Sequence, residues 1–220
     1  MIPLRTVAAL LFAAAAGACS TTDPFGPVAT IPPHASGPQD PRLAQMYGPV
    51  SDAGWTIPGV DKIQEQNIRQ IVDDPTGQPV GTLVVDPKAR FLYLVMENGK
   101  AMRYGVGVGV AGLEFEGNAV VGRKASWPGW RPTDNMIERN PERYAKWAGG
   151  MEGGIQNPLG ARALYLYQGG RDTLYRIHGT NEPWSIGQAV SSGCIRMLNQ
   201  DVIDLHQRVP NNARVVVLPA

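Results

Sequence analysis

Between Gly81 and Leu218 the chain is cut into short β-rich runs by glycine-bearing turns, and this limits the fold more than any other feature of the sequence. Phe91-Leu92-Tyr93-Leu94-Val95-Met96 leads into Glu97-Asn98-Gly99-Lys100, and Ala101 to Val110 continues the meander. Asn-Gly between β-rich runs is a strong hairpin signal, because the favoured two-residue turn needs positive φ at both central positions. Ala163 to Tyr167 and Leu174 to Ile177 flank Gln168-Gly169-Gly170-Arg171-Asp172 as a further hairpin. Thr82 to Asp86 with Pro87-Lys88 reads as strand and turn, and Arg214 to Leu218 as a closing strand. Val202, Leu205 and Val209 recur at helical spacing, with Asn199 or Asp201 as N-cap and His206 in the last turn. The elements add up to a mainly β domain with a few helices over 81–220, large enough to bury a real core.

The residues before it read differently. Met1 and Arg5 give a short positive start, and Val7 to Ala16 is apolar but too short for a bilayer, which needs about 20 residues. Ala16-Gly17-Ala18 supplies small residues for cleavage, so 1–18 is expected to be a signal peptide. Cys19 follows at once, and Ala16-Gly17-Ala18-Cys19 resembles a bacterial lipoprotein processing box, which implies an acylated Cys19 as the mature N-terminus. Residues 19–59, dense in Pro, Gly, Ser, Thr and Ala between Thr21 and Pro41, are expected to be a flexible tether carrying a solvated His34. Residues 60–80 form a lead-in segment in which Gln66 to Val72 fits a short helix or a strand equally well.

Cleavage removes Arg5 and no other charge, leaving the mature chain formally neutral. A neutral chain without basic runs excludes nucleic acid as an expected partner. Attachment to a membrane then depends on lipid at Cys19. Gly105 to Gly112 has the glycines of a dinucleotide loop, but strict Gly–Val alternation is a strand pattern and no helix follows. Small residues at every second position there let another backbone or a ligand approach one face. With one unassigned Cys and no CxxC or HExxH, no metal site is expected. Trp127-Pro128-Gly129-Trp130-Arg131-Pro132 and Met136 to Gly154 form a long insertion between strands, which fits a binding loop or a surface excursion pinned by its tryptophans.

The chemistry concentrates in two glycine-flanked segments, Ile177-His178-Gly179-Thr180 and Ser191-Ser192-Gly193-Cys194-Ile195-Arg196-Met197. If Cys19 is lipidated, Cys194 is left without an intramolecular partner in an oxidising compartment. A thiol beside an imidazole is a nucleophile–base pair, although a buried, inert Cys fits the same count. Only a few per cent of a free thiol is ionised near neutral pH, so a base within reach is what activates it. Gly193 permits a sharp turn and exposes backbone N–H groups that can stabilise an oxyanion. Gly179 removes bulk where a substrate must pass, and a polar atom must fix the tautomer of His178.

These two segments, and the sixteen positions from His178 to Cys194, closely resemble the signature of bacterial L,D-transpeptidases with a YkuD-type catalytic domain. Ile186-Gly187, Asn157-Pro158-Leu159-Gly160 and Ala163-Leu164 match as well, so the resemblance covers about Gly81 to Leu218. The family usually has His before the Gly-Cys, where this chain has Ser192. The resemblance implies a YkuD-type mixed-sheet, β-sandwich-like domain that needs no cofactor. It implies a Cys194 nucleophile, a His178 base oriented by the Gly179 carbonyl, an oxyanion held by main-chain N–H groups at Gly193 and Cys194, and 3→3 cross-linking of peptidoglycan stem peptides with release of D-alanine. Arg196, Ser191, Ser192 and Thr180 are the substrate-binding candidates, Arg196 fitting a structural salt bridge equally well. Water or an envelope protein as acceptor, and a non-catalytic wall-binding module, remain open beside this reading. The expected place is the periplasm, with a lipid anchor in the outer membrane of a Gram-negative bacterium.

Overall fold

The computed structural model describes residues 41–110, 115–191 and 193–220. The signal peptide, Cys19, His34 and Ser192 lie outside the described residues.

In chain order come α1 (Pro41–Tyr47), β1 (Val50–Asp52), β2 (Trp55–Ile57), a 3₁₀ turn over Glu65–Asn67, β3 (Gln70–Asp73), β4 (Leu83–Asp86), β5 (Phe91–Val95), β6 (Lys100–Gly105) and β7 (Val108–Gly109). Then follow β8 (Gly117–Ser126), α2 (Asp134–Arg139), α3 (Pro141–Tyr144), a 3₁₀ turn over Ala145–Trp147, β9 (Arg162–Gln168) and β10 (Arg171–His178). A 3₁₀ turn over Pro183–Ser185, β11 (Ala189–Ser191), β12 (Ile195–Arg196), α4 (Asn199–Arg208) and β13 (Arg214–Val217) complete the order.

Nine strands form one mixed sheet in the order β12-β10-β9-β8-β13-β4-β5-β6-β3. Only β10–β12 and β4–β13 run parallel within it. Both expected hairpins are present, and each turns on two successive positive-φ residues: Asn98 and Gly99 at 59° and 65°, Gly169 and Gly170 at 57° and 78°. Gly107, just beyond β6 near one end of the sheet, also pairs with Arg196 of β12 at the other end. The sheet therefore curls until its ends meet, and its inner face becomes the core. Leu83, Val85, Leu92, Leu94, Leu164 and Leu166 point into that space, where Val202, Leu205 and Val209 of the α4 region join them. This is the mainly β, sandwich-like arrangement expected.

Several expectations need correction. Residues 41–59 are not a tether: α1 and the β1–β2 hairpin pack on the domain. Tyr47 is fully buried in a cluster with Ile68, Ile186 and Leu198. The Tyr47 O–H donates to Asp201 Oδ2 at 3.3 Å and accepts the Arg69 N–H at 2.8 Å. The segment has no core of its own and acquires one from the domain, which its Pro- and Gly-rich composition does not reveal. Between 66 and 72 both alternatives occur, the 3₁₀ turn followed by edge strand β3. The Gly–Val run is not one strand. β6 stops at Gly105, and β7 pairs in parallel with β11 in a separate two-stranded sheet. Its glycines admit other backbones as expected: a Cβ on Gly107 would meet the Ser185 carbonyl at 2.6 Å.

Candidate active site

Parallel pairing sets Ile177 beside Ile195 and His178 beside Arg196. Both isoleucines are buried in the core. Because side chains alternate along a strand, His178 and Arg196 take the opposite face, and Cys194, two residues before Arg196, takes it too. Cys194 and His178 both line one cavity of about 900 Å³. The segment between β8 and β9 supplies Trp130, Met136, Tyr144, Trp147 and Met151 to its wall. The long insertion thus does both things its sequence allows. Trp130 faces the cavity, while Trp127 is pinned by Trp55 at 5.7 Å and donates its Nε1–H to Asp52 Oδ2 at 2.7 Å.

The Nδ1–H of His178 donates to the Gly179 carbonyl at 2.6 Å. A carbonyl only accepts, so this contact assigns the proton to Nδ1 and leaves the Nε2 lone pair for chemistry. His178 is buried, and burial, with the nearby Arg196 charge, lowers its pKa to about 4 against the pull of the Gly179 hydrogen bond. Burial also pushes the Cys194 thiol up. The Arg176 main-chain N–H and the Arg176 and Arg196 guanidiniums act against that rise. At neutral pH the site therefore holds a thiol and a neutral imidazole, not a preformed ion pair.

Gly179 is a glycine for a different reason from the one expected. A Cβ there would run into Asn199 Oδ1, with Ala161 N at 3.1 Å and Gly160 Cα at 3.2 Å, so the constraint is packing behind the site and not substrate passage. Asn199 is not the N-cap of α4 either; Leu198 holds that position. Its side chain instead accepts the Ala161 N–H at 2.9 Å and donates to the Thr180 carbonyl at 2.9 Å, clamping the segment that follows His178. Sequence reasoning missed this role, because Asn before an apolar helical period reads as a cap.

Gly193 lies at φ +120°, which bears out the sharp turn. Its N–H, however, donates to Ser191 Oγ at 3.2 Å, and the Ser191 hydroxyl donates to the Cys194 carbonyl at 2.6 Å. Gly193 is thus not an open oxyanion donor, and Ser191, although it lines the cavity, spends its hydroxyl on shaping the Cys194 turn. Thr180 is buried and does not line the cavity; its Oγ1 accepts the Glu182 N–H at 3.0 Å. Arg196 lines the cavity but is paired with Glu182 at 2.7 Å, the salt-bridge alternative. Glu182 also holds Arg143 of α3 at 3.3 Å. Asn157 shapes the base of the insertion, donating Nδ2 to the carbonyls of Pro128 at 3.1 Å and Glu152 at 2.9 Å.

The chain is similar to several known proteins. "Probable L,D-transpeptidase ErfK/SrfK" of Escherichia coli strain K12 is 32% identical over 196 residues, 86% of this chain and 62% of the relative. "Probable L,D-transpeptidase YbiS" of the same strain is 31% identical over 195 residues, with the same shares of 86% and 62%. The chain thus spans about 62% of the length of these curated relatives. A crystal structure from Brucella melitensis described as a "Probable carnitine operon oxidoreductase caia" is 53% identical, covering 67% of this chain and 91% of that one at a TM-score of 0.49. The YkuD family, described as the L,D-transpeptidase catalytic domain, matches residues 81–217, the segment that carries every strand of the curled sheet except β3, together with His178 and Cys194. The chain belongs to the YkuD family of L,D-transpeptidase catalytic domains.

Proposed function

We propose that the domain is a cysteine acyltransferase that makes 3→3 cross-links between peptidoglycan stem peptides. The observation that carries this reading is that Cys194 and His178 open onto one cavity from neighbouring parallel strands, with His178 Nδ1 committed to the Gly179 carbonyl. In the first step Nε2 of His178 takes the thiol proton as the Cys194 sulfur attacks the carbonyl carbon of the third stem residue. The main-chain N–H of Cys194 faces the oxyanion, a donor worth about 3 kcal/mol in such sites. His178 returns the proton to the amine of the terminal D-alanine as the C–N bond breaks, leaving a thioester. In the second step an amine of another stem attacks the thioester. His178 takes the amine proton and gives it to the departing sulfur, so the cycle closes with no cofactor.

In this reading 1–18 exports the chain and lipid on Cys19 holds it in the periplasm, anchored in the outer membrane within reach of the wall. Incorporation of labelled palmitate that survives Cys19→Ala would remove the anchor from the reading.

The test of the chemistry is mass spectrometry of the purified protein incubated with tetrapeptide stems. A covalent adduct equal to the stem less D-alanine is expected, and Cys194→Ala abolishes it. A cross-linked dimer as product supports transfer, and a tripeptide alone would make the enzyme a carboxypeptidase. No adduct and no product from either form would overturn the proposal in favour of a wall-binding module.

A further inference from the structure

β10 is irregular just before His178. Its register with β9 shifts between Asp172 and Arg176. Inside this bulge Leu174 sits at φ +65°, a left-handed conformation that leucine keeps only where its surroundings impose it. Asp172 Oδ1 accepts the Leu174 N–H at 2.8 Å. Thr173 Oγ1 accepts the Tyr175 N–H at 3.2 Å and donates to the Leu166 carbonyl at 2.7 Å. The resulting bend turns the Leu174 carbonyl toward the Cys194 sulfur, 4.0 Å away.

The same carboxylate also grips Arg176. Its two oxygens accept from the guanidinium at 2.7 and 2.9 Å. Arg176 lies over the Tyr165 ring at 4.3 Å from its centroid, and Arg123 lies over that ring at 3.7 Å. Arg176 Nη1 further donates to the Tyr175 carbonyl at 2.9 Å. A bidentate ion pair stacked on an aromatic face is far more fixed than an ordinary surface pair.

The geometry points to a second task for this bulge: Asp172 and Arg176 are positioning residues that seat the Cys194 thiol. Through Leu174 the bulge offers a carbonyl to the S–H. Arg176 stands on the other side of the balance, ready to support the thiolate once His178 has taken the proton, and Asp172 tempers that support. The charged groups that act on the sulfur are Arg176 and Asp172 from β10 and Arg196 from β12, and the cavity it opens onto is further lined by His178 and Tyr175 of β10, Glu182 of the loop after β10, Glu138 and Arg139 of α2, and Arg143 and Tyr144 of α3. Arg176 draws the thiol value down first through its main-chain N–H, which a side-chain substitution keeps, and then through its guanidinium, while the Asp172 carboxylate paired with that guanidinium raises it.

The inference rests on the proposed function only in taking Cys194 as the nucleophile, and its test uses no stem peptide. The full chain is treated with iodoacetamide across a pH series, and modification of the Cys194 peptide is followed by mass spectrometry. Asp172→Asn is expected to move the profile to lower pH and to speed alkylation about threefold or more at pH 7. Arg176→Gln is expected to move it to higher pH and slow it by a similar factor, while Arg176→Lys, which keeps the charge, stays nearer the wild type. Shifts in the same direction for Asp172→Asn and Arg176→Gln, or no shift in either, would overturn the assignment, since a merely structural bulge has no reason to respond with opposite signs. Should Asp172→Asn fail to fold, identical profiles for Arg176→Gln and Arg176→Lys would overturn it as well. Any of these results leaves acyl transfer by Cys194 standing, and a missing stem adduct leaves these results standing.

Discussion

His178 donates its Nδ1–H to the carbonyl of Gly179, the next residue in the chain, so base and orienting group are adjacent residues. The imidazole is thereby fixed as the tautomer whose free nitrogen is Nε2. His178→Gln keeps an N–H for that carbonyl but has no lone pair basic enough to take a proton. Acylation of Cys194 by stem peptide is expected to fall about 10²–10⁴-fold in this variant. The wild-type rate should keep climbing on the alkaline side of neutral pH, because the thiol is held above its ordinary value. A rate that peaks near pH 6 and then declines would show a preformed ion pair instead.

Asn199 reaches from the start of α4 to Ala161 and Thr180, joining the two chain segments that meet behind His178. Asn199→Ala strips a partner from one buried N–H and one carbonyl, at about 2 kcal/mol. The loss should appear in urea unfolding. Stem acylation should fall with it, because His178 then sits on a segment without its clamp. Unfolding curves identical to wild type would show that water takes over both groups.

Asp52 joins the β1–β2 hairpin to the body of the domain. Its two oxygens each accept from Arg162 at 2.7 Å, and one also accepts from Trp127. Asp52→Ala leaves a mostly buried guanidinium and an indole N–H without this acceptor, a loss of about 3 kcal/mol. Deleting 1–59 should cost at least as much, whereas a mere tether could be removed without any change in thermal midpoint.

Two buried groups give the fold opposing responses to acid. His178 has its pKa lowered from 6.5 to about 4, chiefly by burial. Its contribution to stability is present above about pH 6.5 and is lost as pH falls through about 4. Asp201 has its pKa raised from 3.8 to about 7, again chiefly by burial, against the Arg69 charge. Its contribution is complete below about pH 3.8 and is lost as pH rises through about 7. Removing one group should expose the other. Between pH 4 and 7 the stability of Asp201→Asn is expected to fall more steeply on acidification than that of wild type, and His178→Gln less steeply. Parallel stability curves for all three proteins would refute both assignments.

What the sequence revealed follows a physical divide. The Asn98-Gly99 and Gly169-Gly170 hairpins were legible because turn chemistry is local. The longest strand, β8, was not read, although Ala119 and Val121 face the core. Its register breaks after Val121, where Gly122 makes room for the Tyr167 ring of the neighbouring strand, and Arg123 and Lys124 interrupt the apolar alternation. Tyr47 was missed in the same way, since its partners Arg69 and Asp201 are brought to it only by the folded domain. At the site, the His178 and Cys194 segments stood out through residue type, glycines and family resemblance. The tasks of Ser191, Thr180 and Asn199 did not: the first two depend on the bend that brings Cys194 and Glu182 back to their hydroxyls, and the third on a hydrogen bond to a distant loop.

The meeting of the sheet's two ends has a consequence for how peptides reach the sulfur. Arg196 gives its N–H to the Gly107 carbonyl at 2.8 Å and receives the Gly107 N–H at 2.9 Å. The border strand next to Cys194 is thus already partnered, and an incoming chain cannot dock there by lengthening the ladder. Any peptide that reaches the Cys194 cavity meets the aromatic side chains of Trp130 and Tyr144 in its wall in place of a free strand edge at β12.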